Sequence, residues 1–584
     1  MRKLYSLVLI AAGLLIGTNS WAAFQIGSTT YGSLNEAVGA ANDGDEIKVT
    51  SPSLIAEKVT LNANKHVVLN LGAFDLEVTY AGVASKDAAI EVKQGVLEIT
   101  GVEGTISSDQ AKIYDLIRLY GTSNAVDAKT GTPYSQVIIG AGVTIQNDKF
   151  NALTITQNAD KLANGARIDV YGNLNAQKYG IKVNGGVKDP QGEARTYSPF
   201  VYVHAGAVVA TLDNSTNAVA AYSSGYARWL IEGTCTGATG LYVRSGNVEL
   251  VNATIASSAT YDDPAPGKKS GVEAGGSAIV VESNNKYQGG IQVTIAGNTT
   301  VTAQSGYAIE ETVPVSSDNT EVENIIIESG TITGGVGAII VSQKTVENPE
   351  SDVTIYGGTI TATDTEGETV KVGNEGSIAD LLPEGADASA YTTTGNTIIV
   401  SAGYHVTLNA AGLATFSAEE TTKIPAGLKV YQAGAMSSGE LNLVLVSNAD
   451  NYIPANTGVI LYGTPGQSYS MLISESGTTT TDYSNNTLYA YTEWASRTSE
   501  PVYILHGNEL WQYTGTNFPA NKAFLQLPAN AGAPARISMR FNETQAVENV
   551  APEAVKAVKF VGEDGKLYIR RGEAVYTVQG QLVK

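Results

Sequence analysis

The side chains that could carry out metal or acid–base chemistry lie far apart in this sequence. No two histidines have the spacing that zinc sites use; the four are His66, His204, His405 and His506. The one Asp-Asp pair, Asp262-Asp263, lies in a segment rich in Pro and Gly. Cleavage of a glycosidic bond needs two positioned carboxyl groups, and an isolated pair in such a segment is more typical of a solvated loop. No metal site is predicted.

Aromatic side chains give a different indication, which is ligand binding. The chain has 30 Tyr, and flat rings beside strands can stack on sugar rings. The candidate binding residues are Tyr134, Tyr197, Tyr222, Tyr226, Trp229, Tyr242 and Tyr287. The alternative interpretation is that Tyr is simply favoured in strands at a half-wet surface.

The overall charge limits the partners. The 584 residues carry a formal net charge of −21, which is unsuited to binding nucleic acid or anionic lipid. The first 22 residues resemble a signal peptide, with Arg2 and Lys3 before the apolar stretch 4–16. Cleavage after Ala22 is expected, and no second long apolar run predicts a transmembrane segment. A secreted or outer-surface location is therefore expected.

The elements that must position these residues repeat along the chain. An apolar-any-apolar strand is followed by Gly or Asn, then Thr and an apolar residue, as in Gly330-Thr331-Ile332. The last apolar residues of the copies are 106, 145, 174, 208, 235, 255, 301, 332 and 360. A second kind of strand follows each copy. This period predicts stacked coils of one solenoid.

Two further features follow from the repeat. Cys235, the only cysteine, occupies the position of Ile332 and is predicted to be a core residue. Long polar insertions follow the second kind of strand, which predicts a ridge of loops on one flank. They span 121–136, 184–199, 284–290, 312–324 and 342–352, while 259–275 follows the other kind of strand.

The start of the mature chain predicts a short helix. Ser33 and Glu36 have capping-box spacing, and Leu34, Ala37, Val38 and Ala41 form an apolar stripe. The helix is expected to cover the open end of the first coil. The stretch from Tyr31 to Val49 resembles the entry segment of bacterial right-handed parallel β-helix proteins of the pectate-lyase-like superfamily.

This resemblance implies an activity to be tested against the sequence. Pectate lyases use calcium held by carboxylates and a basic residue that removes a proton. Arg228 and Arg244, near Glu232 and Glu249, are the better candidates here, but surface ion pairs are the favoured interpretation because such pairs are common and weak. The Gly-His-Gly and Arg-Ile-Lys phrases of the related hydrolases are absent. Calcium is expected only if the chain is an enzyme, and no other cofactor is predicted.

The carboxyl-terminal part is predicted to be a separate, antiparallel β-rich domain. Phrases at 412–431, 453–461 and 510–525 resemble a module of surface proteins from Gram-negative bacteria with type IX secretion. The final Gly565–Lys584 segment resembles a type IX sorting tail, with a plain terminal hairpin as the rival interpretation.

Together these observations predict an all-β protein: a right-handed parallel β-helix solenoid with an N-terminal capping helix, followed by an antiparallel β-rich domain. The expected function is non-catalytic binding or adhesion, with extracellular polysaccharide or a host surface component as partner, through the loop ridge. The alternatives are a polysaccharide lyase or glycoside hydrolase, and a structural stalk. The predicted segments are 1–22 signal peptide, 23–363 β-helix, 364–397 end cap and linker, 398–543 module, and 544–584 linker and tail.

Overall fold

A computed structural model gives the fold of the chain as two compact units. The first comprises Met1–Thr407, Glu420–Pro425 and Ser468–Gly477, and the second comprises Leu408–Glu419, Ala426–Gln467 and Thr478–Lys584. The structure describes residues 23–577 except 85, 122–133, 157–164, 185–197, 213–217, 262–274, 283–289, 313–322, 342–352, 365–366, 373–375, 387, 438, 447–451, 475–476, 480, 493–494, 497–499, 516, 528–533, 543–557, 562–566 and 572–573.

The first unit is all-β and solenoid-like, and most of its strands form three parallel ladders. The first ladder contains Glu46–Val49, Ser135–Ile139, Ala166–Val170, Phe200–Val203, Arg228–Ile231, Gly246–Val251, Ile291–Ala296, Glu323–Ile327 and Val353–Ile355. The second contains Ser53–Ile55, Leu76–Val78, Gly104–Ser108, Val143–Asn147, Asn173–Ala176, Val208–Thr211, Thr234–Gly237, Thr254–Ser257, Thr300–Ala303, Thr331–Gly334 and Gly357–Ala362.

The third ladder follows the second in each repeat. Its strands are Ile113–Tyr120, Asn151–Thr156, Tyr179–Asn184, Val219–Ser223, Thr239–Val243, Ile279–Glu282, Tyr307–Thr312, Gly337–Val341 and Val370–Val372. Two long strands, Val59–Asn70 and Asp87–Thr100, run from the third ladder into the first. The chain therefore passes through three strands per repeat, where the sequence pattern separated only two kinds.

The repeated phrase bends around a corner between the first and second ladders. Its apolar-any-apolar part lies in the first ladder, and the Thr-apolar part lies in the second. Asn252, at one such corner, has a φ of 52°, and Gly330, at another, has a φ of 116°. Few residues other than Gly and Asn adopt a positive φ, which explains the choice of these two residues at such corners. Gly233, in another copy, has no positive φ, and a Cβ there would lie 2.7 Å from the Ala207 carbonyl oxygen.

Backbone pairing in register stacks equivalent side chains in the core. The second ladder aligns Ile106, Ile145, Leu174, Val209, Cys235, Ile255, Val301, Ile332 and Ile360, all fully buried. The sequence phrase identified this stack except at one coil, where it chose Val208 in place of Val209. Cys235 is a core residue as predicted, and burial raises the pKa of its thiol to about 12.

The ladders are flanked by a helix with antiparallel strands at their first end and by antiparallel strands at their last end. The helix Leu34–Ala40 has Ser33 as its N-cap, and the Ser33 Oγ accepts a hydrogen bond from the Glu36 backbone N–H. The predicted stripe of Leu34, Ala37, Val38 and Ala41 is buried in the main core, next to the antiparallel strands Phe24–Ile26 and Thr29–Tyr31. At the other end, Thr397–Ser401 pairs antiparallel with Gly357–Ala362 and with Tyr391–Thr394.

The short elements that complete the first unit follow the last repeats. The 3₁₀ helices are Ile378–Leu381 and Ala388–Ala390, and the remaining strands are Gly403–Thr407, Thr422–Lys423 and Ser468–Leu472. Gly403–Thr407 pairs antiparallel with Ser468–Leu472. The predicted boundary between linker and module at 397–398 remains a prediction.

The second unit is β-rich and mostly antiparallel. Its nine-stranded sheet contains Leu413–Phe416, Lys429–Ser437, Glu440–Leu445, Val459–Tyr462, Leu488–Tyr491, Val502–His506, Glu509–Gln512, Lys522–Gln526 and Arg536–Asn542. One pair in it, Glu440–Leu445 with Arg536–Asn542, is parallel. Further strands are Tyr452–Ile453, Ala495–Ser496 and Asn517–Phe518, and an antiparallel sheet of Val558–Val561, Leu567–Arg571 and Ala574–Thr577.

Most of the predicted insertions lie outside the described residues. Each of the five segments assigned to the ridge falls between a third-ladder strand and the next first-ladder strand, and 259–275 falls between the second and third ladders. No helix in the described part of the chain is long and apolar enough to cross a membrane.

The corner glycines provide a test of the packing. A Cβ at Gly330 would lie 2.6 Å from the Thr299 carbonyl oxygen, whereas a Cβ at Gly206, with a φ of 84°, would have no neighbour within 4 Å. Gly206→Ala should cost about 1 kcal/mol, from backbone strain alone. Gly330→Ala should cost about 3 kcal/mol or more, because the neighbouring coil must also move. Urea unfolding followed by circular dichroism measures both, and equal losses would contradict close packing at this corner.

Candidate ligand-binding face

The structure places the seven predicted binding residues in three different settings. Tyr197 and Tyr287 lie outside the described residues, and Tyr134 is half-buried. The remaining four, Tyr222, Tyr226, Trp229 and Tyr242, are buried, with 2–7% of each residue exposed. Their rings therefore pack inside the protein in this structure, and a role in ligand binding stays a prediction.

Two of these buried tyrosines belong to a cluster on the third ladder, separate from the main core. Tyr222 stacks on Tyr179 at 4.9 Å and meets Tyr242 edge to face at 5.7 Å between ring centroids. Arg244 donates to Glu282 Oε2 through Nε (2.9 Å) and Nη2 (2.6 Å), and to Tyr222 Oη through Nη1 (3.1 Å). This internal ion pair ties adjacent coils together and accounts for Arg244 without a catalytic role.

The residues proposed for catalysis are only partly brought together, because Arg228 lies near Glu249 whereas Arg244 has a different carboxylate partner. Arg244 pairs with Glu282, and Arg228 lies over the Phe200 ring, 5.4 Å from its centroid. Asp262-Asp263 lies outside the described residues. Within the described ranges, no group of three or more His, Cys, Asp and Glu side chains could hold a metal ion.

A polar network at the start of the third ladder is also internally paired. Lys58 contacts both Asp87 and Glu91, and Arg118 contacts Asp115. Asp115 accepts further hydrogen bonds from Asn151 and Thr154. Burial opposes ionisation of Asp87, yet the hydrogen bonds from Lys58 and neighbouring groups hold its pKa well below its usual range. The network joins successive coils and indicates a structural role.

A different group, which we call the aromatic patch, lies on the first ladder and the corners that follow its strands. Its rings are partly exposed, and its most exposed one is Tyr171, at 44%. The members are Arg167, Asp169, Tyr171, Phe200, Tyr202, His204, Arg228 and Glu232. They come from three consecutive first-ladder strands and lie on the face opposite the buried side chains of the same strands.

Three rings of the aromatic patch are stacked face to face, and a fourth lies tilted beside them. His204 lies between Tyr171 and Tyr202, with centroid distances of 3.7 Å and 3.4 Å. Phe200 is the next ring along, 6.2 Å from Tyr202, and Arg167 and Arg228 lie over it. Each ring is anchored on a strand or corner of the ladder, so little side-chain entropy remains to be lost when a ligand binds.

Asp169 organises the polar part of the aromatic patch. Its carboxylate accepts from Arg167 Nε (2.6 Å) and Nη2 (2.8 Å) and from Gln136 Nε2 (2.7 Å), and it lies 3.2 Å from His204 Nε2. Burial would raise the pKa of Asp169, but the hydrogen bonds from Arg167 and His204 outweigh it and lower the pKa to about 2. Asp169 is therefore ionised at neutral pH and fixes Arg167 and His204 in place.

Tyr202 and Glu232 complete the polar contacts. The Tyr202 hydroxyl donates to Glu232 Oε2 at 2.5 Å. Burial, followed by this hydrogen bond and the Glu232 charge, raises the pKa of Tyr202 well above its ordinary value. Tyr202 is thus a neutral hydrogen-bond donor bound to Glu232 on the next coil. This arrangement suits a residue that holds its neighbours in place rather than one that transfers a proton.

The sequence contained a signal for this group that the search for tyrosines missed. Three repeats read Arg167-Ile-Asp-Val-Tyr171, Phe200-Val-Tyr-Val-His204 and Arg228-Trp-Leu-Ile-Glu232. In each, the first, third and fifth residues point away from the core, and the register places Asp169 beside Tyr202 and Phe200 beside Arg228. Aligning the repeats would have shown adjacent charged and aromatic side chains.

Comparison with known proteins gives no further guide to this site. The chain matches no protein-family model, no curated protein and no solved structure.

The charge on Asp169 should contribute measurably to stability at neutral pH. The folded pKa of about 2 lies below the ordinary value of 3.8. The contribution, about 2 kcal/mol, is therefore complete above about pH 5 and lost as the pH falls from about 4 to 2. Asp169→Asn should lower the free energy of unfolding by this amount at pH 7 and by little at pH 2. A deficit that does not change with pH would contradict the assignment.

Proposed function

We propose that this protein is a secreted, surface-displayed binding protein that recognises extracellular glycan, and that its first unit is a right-handed parallel β-helix. The long parallel ladders and the passage through three strands per repeat support the β-helix. The fold alone does not specify an activity, because solenoids carry both enzymes and binding surfaces. The proposal therefore depends on the aromatic patch.

The observation that carries the proposal is a partly exposed row of rings fixed on a regular sheet. Carbohydrate sites combine flat apolar surfaces with a few positioned polar groups. Tyr171 supplies the exposed flat surface, and the stacked His204 ring holds it in place. Phe200, with Arg167 and Arg228 over its ring, supports the patch, and Arg167, Tyr202 and Glu232 supply donors and acceptors beside it. Tyr and its neighbours give a large contact area at a low entropic cost.

The other sequence-based expectations remain parts of this proposal. Sugar contacts from the predicted loop ridge would extend the face beside the first ladder. Residues 398–543 would be the module found on type IX surface proteins, and residues 565–584 would be a sorting tail that follows it. A polysaccharide lyase or glycoside hydrolase, and a structural stalk, are the competing functions that the experiment must separate.

The test compares variants of the full chain for retention on immobilised and soluble polysaccharides. Tyr171→Ala and Phe200→Ala should each weaken binding about tenfold, which corresponds to about 1.4 kcal/mol. The matched control is Tyr489→Ala, which removes another exposed ring, 52% exposed, from the second unit. Affinity electrophoresis and calorimetry measure the change, and circular dichroism checks that each variant is folded.

The outcomes separate the three functions. Polysaccharide that shortens during incubation, in the presence or absence of calcium, would identify an enzyme. Equal binding by wild type, Tyr171→Ala and Phe200→Ala would remove the aromatic patch from the proposal. No binding to any polysaccharide would favour the structural stalk or a protein ligand.

A further inference from the structure

The outward face of the first ladder continues well beyond the aromatic patch. Successive strands place Leu230, Glu249, Thr294, Ile326 and Thr354 in register after Tyr202. Glu249 is exposed, Ile326 is buried, and the other three are half-buried. Five strand spacings of about 4.8 Å give a length of roughly 24 Å. This distance is the length of several linked sugar rings, and the direction runs across the strands.

A cleft lies at the far end of this face. Its volume is about 190 Å³, and its lining residues include Asn324, Ile326, Thr354, Tyr356, His405 and Ser470. The Tyr356 hydroxyl and Ser470 Oγ are 2.8 Å apart, and the Tyr356 and His405 rings are 5.6 Å apart. A cleft of this size is smaller than a pocket for a drug-sized molecule and fits a single ring with several hydroxyl groups.

The charges along the face favour an uncharged ligand. Within the aromatic patch, Arg167 is neutralised by Asp169, and Tyr202 donates to Glu232. The remaining cation, Arg228, lies close enough to Glu249 for their opposite charges to interact. Toward the cleft lie two acidic side chains, Glu249 on its strand and Glu328, whose Oε1 is 3.4 Å from His405 Nδ1. Desolvation raises the pKa of Glu249, and the Glu328 carboxylate raises it further. The two acidic side chains therefore lie close enough to interact on this part of the face.

We infer that the ligand is a linear, uncharged glycan that lies across the strands, with its rings on the aromatic patch and one ring in the cleft at Thr354 and Tyr356. This inference rests on the proposed function and specifies the substrate class and the extent of its site. A polyuronate would meet Glu249 and Glu328 on a chain whose net charge is already −21. The expected preference is therefore opposite to that of an enzyme acting on acidic pectin.

The test uses disaccharides and hexasaccharides of glucose, mannose and N-acetylglucosamine as uncharged probes, and hexagalacturonate as the anionic probe. With the full chain, at least one uncharged hexasaccharide should bind tenfold or more tighter than its disaccharide and than hexagalacturonate. The double variant Asn324→Ala/Thr354→Ala should reduce hexasaccharide affinity about tenfold and leave disaccharide affinity unchanged. Tyr171→Ala should weaken both.

A variant without two carboxylates tests the inferred preference for an uncharged ligand. Glu249→Gln/Glu328→Gln should improve hexagalacturonate binding several-fold, and the control Glu77→Gln, an exposed carboxylate on the second ladder, should not. The same hexasaccharide affinity in wild type and in the Asn324→Ala/Thr354→Ala variant would overturn the extended site. Tighter binding of hexagalacturonate would overturn the uncharged class. Either result would leave the proposed function standing if Tyr171→Ala still weakens binding, whereas no binding of any probe would overturn both proposals.

Discussion

The structure depends on one constraint, which is that parallel strands of successive repeats pair in register. Each backbone hydrogen bond along a ladder fixes which side chains of adjacent coils become neighbours. One consequence is the buried stack through Ile255 and Ile332, in which each residue contacts its equivalent above and below. Burial of each such side chain contributes roughly 1.5–3 kcal/mol, and the repeat extends this contribution along the ladder. A single cysteine at position 235 is accommodated because only size and polarity matter there.

The same register also fixes which outward-facing side chains of successive coils are neighbours. These outward positions are the ones that could contact a ligand. Positions that face the core must remain apolar, but outward positions are free to vary between coils. On the third ladder they form internally paired networks, such as Arg244 with Glu282, that join coils. On the first ladder they form the aromatic patch, where rings and hydrogen-bonding groups are partly exposed. Two ladders of one solenoid-like unit thus use the same geometry, one for contacts between coils and the other for the recognition face that we propose.

The proposed recognition face has two physical properties that would govern binding, namely rigid aromatic side chains and a particular arrangement of charges. His204 is held between two rings and beside Asp169, so the surface is organised before a ligand arrives. Such preorganisation lowers the entropic cost of binding. Arg167 pairs with Asp169 within the patch, and the carboxyl groups of Glu249 and Glu328 lie beyond it, so the face is proposed to have little attraction for a polyanion. Shape and stacking, rather than charge, would then select the ligand.

The sequence by itself determined the repeat, the buried stack, the role of Cys235 and the helix that begins at Ser33. These depend on local rules, namely alternation, spacing and capping, that act within one coil. It misplaced Val208 by one residue, because two adjacent valines satisfy the same pattern and only pairing with Leu174 selects Val209. Only the tertiary structure decided which aromatic rings are buried and which are partly exposed. Tyr222 lies within a third-ladder strand and packs in a second cluster, whereas Tyr171 follows a first-ladder strand and is exposed at a corner. Their different burial depends on neighbours that are distant in the sequence.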